Sequence, residues 1–135
     1  MKNILIMFVF VFLFWNCSQH GEKLTFNGTE IYYKDGATIN DAVNLGEYLV
    51  SSGFTKDGKR ISLQIFKNGK IYVVRMVTQK GKENDSSVIE SIRTISSEMA
   101  KDVFKIDKSN IEFHLCDDRF HSLRVITYNS SYIPK

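Results

Sequence analysis

The sequence predicts an α+β fold in which an antiparallel sheet of about five strands carries two helices on one face. Three observations predict it: two β-hairpin signals, two segments with apolar residues at helical spacing, and a similarity between segments fifty residues apart. The chain has 135 residues, 43% of them hydrophobic and 24% charged, which suits a single globular domain.

The first predicted strand covers 29–34 (TEIYYK), a segment rich in residues that favour β-structure. A shorter strand over 24–26 can precede it. The two are then joined at Asn27 and Gly28, because Asn-Gly is a common two-residue hairpin turn.

Helix one is predicted over 38–52 and helix two over 87–103. A T-x-x-D capping motif begins at Thr38 and an S-x-x-E motif begins at Ser87, and apolar residues recur at helical spacing after each. Gly53 stands where the C-terminus of a helix favours glycine.

The segments 61–66 and 70–78 flank Asn68 and Gly69, and together they give the clearest hairpin signal of the chain. A two-residue turn at this point places three apolar pairs on one face of the sheet. These pairs are Ile65 with Tyr72, Leu63 with Val74, and Ile61 with Met76.

A second hairpin is predicted to join 110–116 to 120–128 through a three-residue loop at 117–119. This register places two apolar pairs towards the core and one pair of opposite charges on the other face. The pairs are Phe113 with Leu123, Ile111 with Val125, and Glu112 with Arg124.

Two helix–hairpin units explain the internal similarity. Leu45, Leu49, Phe54, Ile61 and Ile65 recur as Ile95, Met99, Phe104, Ile111 and Leu115, and 74–77 aligns with 123–126. Recurrence at helical and strand spacing indicates packing positions. The predicted order is β-α-β-β-α-β-β, similar in layout to ferredoxin-like folds.

The N-terminal segment is typical of an export signal. Lys2 gives it a positive start, and 4–15 is an unbroken apolar run. A helix of this length is roughly 18 Å long, which is short of the about 30 Å hydrocarbon core of a bilayer. We therefore expect a signal peptide over 1–16 rather than a membrane-spanning helix. Secretion without an anchor and an uncleaved anchor are the alternatives.

Cys17 follows this run directly, between Asn16 and Ser18, and the arrangement resembles the lipobox of bacterial lipoproteins in its relaxed, Bacteroidetes-type form. The resemblance implies that the Cys17 thiol is acylated and that lipid holds the chain on a membrane. It also implies a cell-envelope location, with the outer membrane facing the periplasm favoured. The predicted organisation is a signal peptide over 1–16, a lipidated cysteine and tether over 17–23, one domain over 24–128 and a tail over 129–135.

Several segments also look like a small uncharacterised domain of bacterial exported proteins. The resemblance covers nearly all of 23–126, and it implies a fold but no activity. The segments that carry it are KLTFNGTEIYY, LGEYLVSSGFT, YVVRMV, FHLCDDRF and LRVI.

The segment 114–121 (HLCDDRFH) has the densest set of reactive side chains. A metal site is disfavoured because the predicted register puts His114 and His121 on opposite faces. A Cys116 nucleophile with His114 as its base stays open, because alternate residues of a strand share a face. We favour a packing role for Cys116, and no metal or other cofactor is predicted.

The sheet face without helices is predicted to be unusually apolar. The candidate interaction surface on it consists of Phe66, Ile71, Val73, Arg75, Val77 and Phe120, with Cys116 beside them. An exposed apolar patch of this kind marks a site of association, unless the N-terminal segment or the C-terminal tail covers it.

The leading hypothesis is a non-enzymatic, lipid-anchored module that contacts a protein partner, or a second copy of itself, through this face. A small apolar ligand or lipid is the alternative partner, and a cysteine-dependent enzyme at Cys116 is the third reading. The net charge is +3 and no run of five basic residues occurs, so a nucleic-acid partner is not expected.

Overall fold

The computed structural model describes residues 19–55 and 60–129. They form an α+β domain with a six-stranded mixed sheet and two principal helices. The elements are β1 (Glu22–Phe26), β2 (Thr29–Tyr33), α1 (Ile39–Ser51), β3 (Ser62–Asn68), β4 (Ile71–Val77), α2 (Ser86–Glu98), β5 (Ile111–Cys116) and β6 (Ser122–Thr127).

The strands lie in the sheet in the same order as in the chain. The three hairpins, β1–β2, β3–β4 and β5–β6, are antiparallel, whereas β2–β3 and β4–β5 are parallel. Each parallel pair is joined by one of the two helices, because a strand can re-enter beside its parallel neighbour only through a crossover connection. The prediction of an α+β fold with two helices is therefore confirmed.

The predicted antiparallel sheet of about five strands and its ferredoxin-like layout are wrong. In a ferredoxin-like layout each crossover leaves room for another strand between the two that it joins. Here both crossovers join immediate neighbours, so the sheet is mixed and strictly sequential. The sixth strand is β1, whose turn to β2 has positive φ at Asn27 (48°) and Gly28 (85°), as a type I′ hairpin turn requires.

Helix α1 begins and ends as predicted. Thr38 caps it, with its side chain accepting from the Asp41 amide while the Asp41 carboxylate accepts from the Thr38 amide. At the other end Gly53 adopts φ of 79° and donates to the Val50 carbonyl, and Phe54 donates to Leu49. These two bonds form a Schellman ending, which satisfies carbonyl groups that the helix leaves free.

Gly46 lies on the buried side of α1 against the aromatic ring of Phe26 in β1. A Cβ atom at Gly46 would overlap three atoms of that ring. The glycine therefore sets how closely α1 approaches the outermost strand.

The β3–β4 hairpin keeps the predicted face but not the predicted register. Leu63 pairs with Met76 and Ile65 with Val74, a shift of two residues. The turn residues are Gly69 and Lys70, with φ of 61° at the glycine. Because side chains alternate with a period of two, this shift leaves the same residues pointing into the core.

Helix α2 begins one residue before the predicted start, and its cap is Asp85 rather than the Ser87 motif. The Asp85 carboxylate accepts from the amides of Ser87 and Val88. After Glu98 the helix widens into a π-helical turn over Met99–Val103. This turn buries Met99, Ala100 and Val103. The predicted helix thus ends at 103 as expected, but its last turn is π-helical.

The β5–β6 hairpin is where the sequence-based register is wrong. Phe113 pairs with Ile126 and Leu115 with Arg124, and a bulge interrupts the ladder beside Cys116. The connection is longer than the predicted loop, since β6 begins only at Ser122. Ile126 therefore fills the core, whereas Leu123 and Val125, predicted to be buried, are each 46% exposed.

One hydrophobic core lies between the sheet and the helices. The ten residues of the internal repeat all belong to it, either buried or packed against it. Its largest fully buried side chains include Phe113, Leu45, Leu49, Leu63 and Met99. The repeat was therefore a correct guide to packing positions, except in 123–126, where the bulge changes the face.

Candidate functional site on the helix-free sheet face

The helix-free face of the sheet carries the residues that alternate with the core. Its central part lies on β2 to β5. The members discussed below are Tyr32, Lys34, Gln64, Phe66, Val73, Arg75, Val77, Glu112, His114 and Cys116.

Residues 19–21, the described part of the N-terminal segment, lie over this face. Gln64 is 1% exposed, and its amide nitrogen donates to the His20 carbonyl at 3.0 Å. Gly21, at φ of 94°, lets the chain leave β1 in this direction, because a side chain there would meet the Tyr33 carbonyl. The chain therefore runs from β1 back over the sheet towards its N-terminus.

Phe120 reaches the same place from the β5–β6 connection. The Asp117 side chain accepts from the amides of Arg119 and His121 and thereby holds this connection closed. Phe120 adopts φ of 60°, and its ring lies 5.3 Å from the His20 ring and 5.7 Å from the Tyr32 ring, centroid to centroid. These three rings form an edge-to-face cluster above the sheet.

The predicted interaction surface therefore contains both buried and half-buried residues. Val73 is 3% exposed and Phe120 is 5% exposed, so neither presents an accessible surface. Phe66, Ile71, Arg75 and Val77 are half-buried. Coverage by the N-terminal segment was among the expectations, but Phe120 was expected to lie on the surface and instead helps to cover it.

Arg75 is the central cation of this face. Its guanidinium donates to the Gln64 side-chain oxygen at 3.2 Å and lies 4.7 Å from the centre of the Phe66 ring. Its Nε is buried and has no hydrogen-bond partner. The ion pairs found among residues 19–55 and 60–129 do not include Arg75.

A second cation approaches the same ring. The Lys34 ammonium lies 5.8 Å from the centre of the Phe66 ring and 3.8 Å from the exposed Asp35 carboxylate. The two carboxylates of the face, Glu30 and Glu112, each contact another group, Lys23 at 3.1 Å and His114 at 3.2 Å respectively. Lys23 lowers the pKa of Glu30 through this hydrogen bond.

The predicted pair of Cys116 and His114 shares the helix-free face, but the geometry does not favour a nucleophilic thiol. Cys116 is fully buried, and this burial raises the pKa of its thiol, against the opposing effects of Ser122 and the Arg75 charge. The thiol donates to the His114 carbonyl at 3.6 Å. The His114 ring contacts the Ser122 hydroxyl at 2.6 Å and the Glu112 carboxylate at 3.2 Å instead.

The two histidines of the 114–121 segment contact different groups. His121 is exposed and contacts Asp117 at 3.2 Å, and this neighbour helps to lower the pKa of Asp117. Within the described ranges, no group of three His, Cys, Asp or Glu side chains is placed to hold a metal ion. Arg124, predicted on the helix-free face, donates instead to Asn84 because of the changed register.

A groove of about 730 Å³ opens on the helix layer between α1 and the π-helical turn. Its lining is mainly polar and includes Asn44, Glu47, Tyr48 and Asp102. Burial and the hydrogen bond to Glu98 raise the pKa of the Tyr48 hydroxyl, so it stays protonated and donates at 2.8 Å. This groove was not anticipated, because its walls come together only through the way α1 packs on the π-helical turn.

The alternation of residues along β3 and β4 was enough to place Gln64 and Arg75 on the helix-free face. His20 and Tyr32 were not predicted to take part, and no local signal marks them, since their contact with Phe120 depends on the fold of a distant connection. Cys17 lies outside the described residues. None of the helices in the part of the chain that the structure describes is long and apolar enough to span a membrane.

A scan against protein families matches residues 23–127 to the AF_1994_N family, described as a family N-terminal domain. This description gives a domain and no activity. No curated protein and no solved structure matches the chain. The match extends over β1 to β6 and thus over nearly the whole described domain, so this chain belongs to the AF_1994_N family.

Proposed function

We propose that this chain is a membrane-anchored bacterial lipoprotein whose domain is a non-enzymatic module for binding another protein. The anchor is assigned to Cys17, from its position after the apolar run of 4–15. Acyl chains contribute about 0.8 kcal/mol per buried CH₂ group, so two or more of them hold a protein firmly on a bilayer.

The observation that carries the binding proposal is the apolar edge of the sheet. Val125 and Leu123 are both about half exposed, and both belong to β6, which within residues 19–55 and 60–129 has a strand neighbour on one side only. Val125 lies beside His114 on the helix-free face. An edge strand with exposed apolar side chains suits the addition of an extended segment from a partner.

The state of Cys116 supports the non-enzymatic reading. A thiol must be ionised and accessible in order to act as a nucleophile. Complete burial and a raised pKa oppose both conditions at Cys116.

Labelling with a fatty-acid analogue tests the anchor. We expect wild-type chain to incorporate the label in a globomycin-sensitive manner, and the Cys17→Ala variant to incorporate none. Mature protein that still begins at Met1 with an unmodified Cys17 thiol contradicts the anchor.

Photo-crosslinking in cells tests the binding edge. Val125 and Val50 are matched sites, because they are 46% and 43% exposed on β6 and on α1 respectively. With p-benzoylphenylalanine in place of Val125 we expect a discrete protein adduct that the same probe at Val50 does not give. The adduct is then identified by mass spectrometry, and binding is reconstituted with the purified partner.

Three outcomes of this experiment oppose the proposal. Equal adducts at both sites indicate chance collisions. An adduct only with a second copy of the chain, together with a dimer in sedimentation, replaces the partner by self-association. Co-purified lipid bound stoichiometrically, without a protein adduct, favours the ligand-binding alternative.

A further inference from the structure

We infer that the helix-free face of this domain lies against phospholipid headgroups, with Arg75 and Lys34 directed at the lipid phosphates. The inference rests on the proposed acylation of Cys17 and specifies which surface that acylation brings to the membrane.

The tether to Cys17 leaves the domain at His20, on the helix-free face. His20 is fixed on the helix-free face by its carbonyl, which accepts from Gln64, and by its ring, which packs on Tyr32 and Phe120. Three peptide units separate His20 from Cys17, and an extended chain spans at most about 3.6 Å per residue. The acylated residue therefore lies within about 11 Å of His20.

This distance is short compared with the domain. A chain of about 100 residues folds to a radius of gyration of about 13 Å, which corresponds to a diameter near 30 Å. A tether of about 11 Å cannot pass around such a body, so the helix layer and its groove point away from the bilayer.

The chemistry of the face suits this position. Arg75 is half-buried and is absent from the ion pairs of the described ranges. Lys34 is 30% exposed, lies against the same Phe66 ring, and has the strongly exposed Asp35 carboxylate at 3.8 Å as its other neighbour. Of the carboxylates on this face, Glu30 is paired with the Lys23 ammonium, which reduces its repulsion of a phosphate, and Glu112 contacts the His114 ring.

The side chains around the cations are those found at membrane interfaces. Phe66 and Ile71 are half-buried at one end of the face, and each offers apolar surface at the depth of the headgroups. A lipid phosphate is the occupant that supplies both the missing negative charge and an apolar boundary beside it. β6 is the outermost described strand on that side, so its free edge points along the bilayer and stays accessible to a protein partner. Val125 lies on this strand at the rim of the lipid-facing side, where a partner added to the edge can still reach it.

A depth measurement on the mature acylated chain, which begins at Cys17, tests the orientation. Single labelling sites are introduced by Ile71→Cys and, as a control on the helix layer, Val50→Cys, and each is labelled with an environment-sensitive dye. In vesicles of phosphatidylethanolamine and phosphatidylglycerol that contain doxyl lipid, we expect quenching of the dye at position 71. The dye at position 50 should keep its emission.

A charge-matched comparison tests the cations without the anchor. The Cys17→Ser chain without the predicted signal peptide, residues 17–135, is mixed with the same vesicles, and its partition is measured by sedimentation. Each basic residue at an anionic surface contributes about fivefold to the partition constant, so Lys34→Gln with Arg75→Gln should lower it about twenty-five-fold. Lys80→Gln with Lys101→Gln removes the same charge elsewhere and should change it little.

The outcomes separate the inference from the proposed function. If Cys17 is acylated but the dyes at 71 and 50 are quenched alike, the orientation is wrong while the anchor stands. If Cys17 carries no lipid, the proposed anchor fails. In that case selective vesicle binding that depends on Lys34 and Arg75 still supports the headgroup surface. Equal partition of the two double variants overturns the role of the cations, and circular dichroism of each variant verifies that it is folded.

Discussion

Replacement of Gly46 by alanine tests how α1 is held against the outer strand of the sheet. Two effects of opposite sign act at this position. Alanine in the interior of a helix is favoured over glycine by about 0.5–1 kcal/mol. The new Cβ atom, however, would overlap the Phe26 ring, and insertion of atoms into a packed contact costs about 1–3 kcal/mol.

The net effect follows from how far the ring can move. Phe26 is only half-buried and the atoms concerned are at the end of its side chain, so the ring can shift outward at partial cost. We therefore expect Gly46→Ala to lower the free energy of unfolding by about 1 kcal/mol in the wild-type chain. In a Phe26→Ala background the overlap is absent, and the same substitution should raise the free energy of unfolding by about 0.5–1 kcal/mol.

Urea unfolding followed by far-ultraviolet circular dichroism measures all four members of this double-mutant cycle. The exposed helix position Asn44 provides a control, since Asn44→Ala improves helix propensity without meeting the ring. The reasoning is refuted if Gly46→Ala stabilises both backgrounds equally, because the Phe26 ring then exerts no restraint on Gly46.

Three further predictions concern caps, titration and the buried thiol. Thr38→Ala removes a cap and should lower the free energy of unfolding by about 1 kcal/mol in the same urea assay, whereas no change would show that the capping box is dispensable. Hydrogen bonds from Ser87 and from backbone amides lower the pKa of Asp85 below 3.8, so its contribution is complete above that value and declines as the pH falls through the folded-state pKa. The advantage of Asp85 over Asp85→Asn should therefore shrink in acid, and an advantage independent of pH would contradict the assignment. Alkylation of Cys116 in a Cys17→Ser chain should be slow under native conditions and should accelerate with the unfolded fraction in urea, and fast native labelling would show that the thiol is accessible.

The elements that could be predicted from the sequence are those governed by local rules. The cap at Thr38, the turn glycine at Gly53 and the apolar periodicity of both helices depend on neighbours within a few residues, and the structure bears them out. The predicted set of core positions was also mostly correct, because periodicity identifies a face without identifying its partner.

The arrangement of strands could not be obtained in this way. A β-α-β-β-α-β-β order is compatible with several sheets, and the parallel pairing of β2 with β3 is decided by which neighbour α1 packs against. The register of β6 depends on a bulge beside Cys116 and on the Asp117 connection, so counting from a three-residue loop put Val125 on the wrong face. A register error of one residue moves every side chain of the strand to the opposite face of the sheet, since side chains alternate along a strand.

In the candidate site, too, local rules were predictive whereas distant contacts were not. Alternation in β3 and β4 placed Phe66 and Arg75 correctly on the helix-free face. It could not show that Val73 and Phe120 are buried, because that depends on how the β5–β6 connection and the N-terminal segment fold over the sheet. Contacts between parts of the chain a hundred residues apart, such as His20 with Phe120, carry no pattern in a single sequence.

The sequential order of the strands has a consequence for how the molecule is made. Each strand docks beside the one synthesised just before it. Three of the pairs close through hairpin turns and two through the helix-containing connections 34–61 and 78–110, at an entropy cost that grows only slowly with loop length. Topologies dominated by such local pairings fold quickly. The sheet grows in one direction, and the strand synthesised last forms its open edge until the next strand pairs with it. When synthesis has reached Val77, that edge is β4, and its unprotected state lasts only until α2 delivers β5 to it.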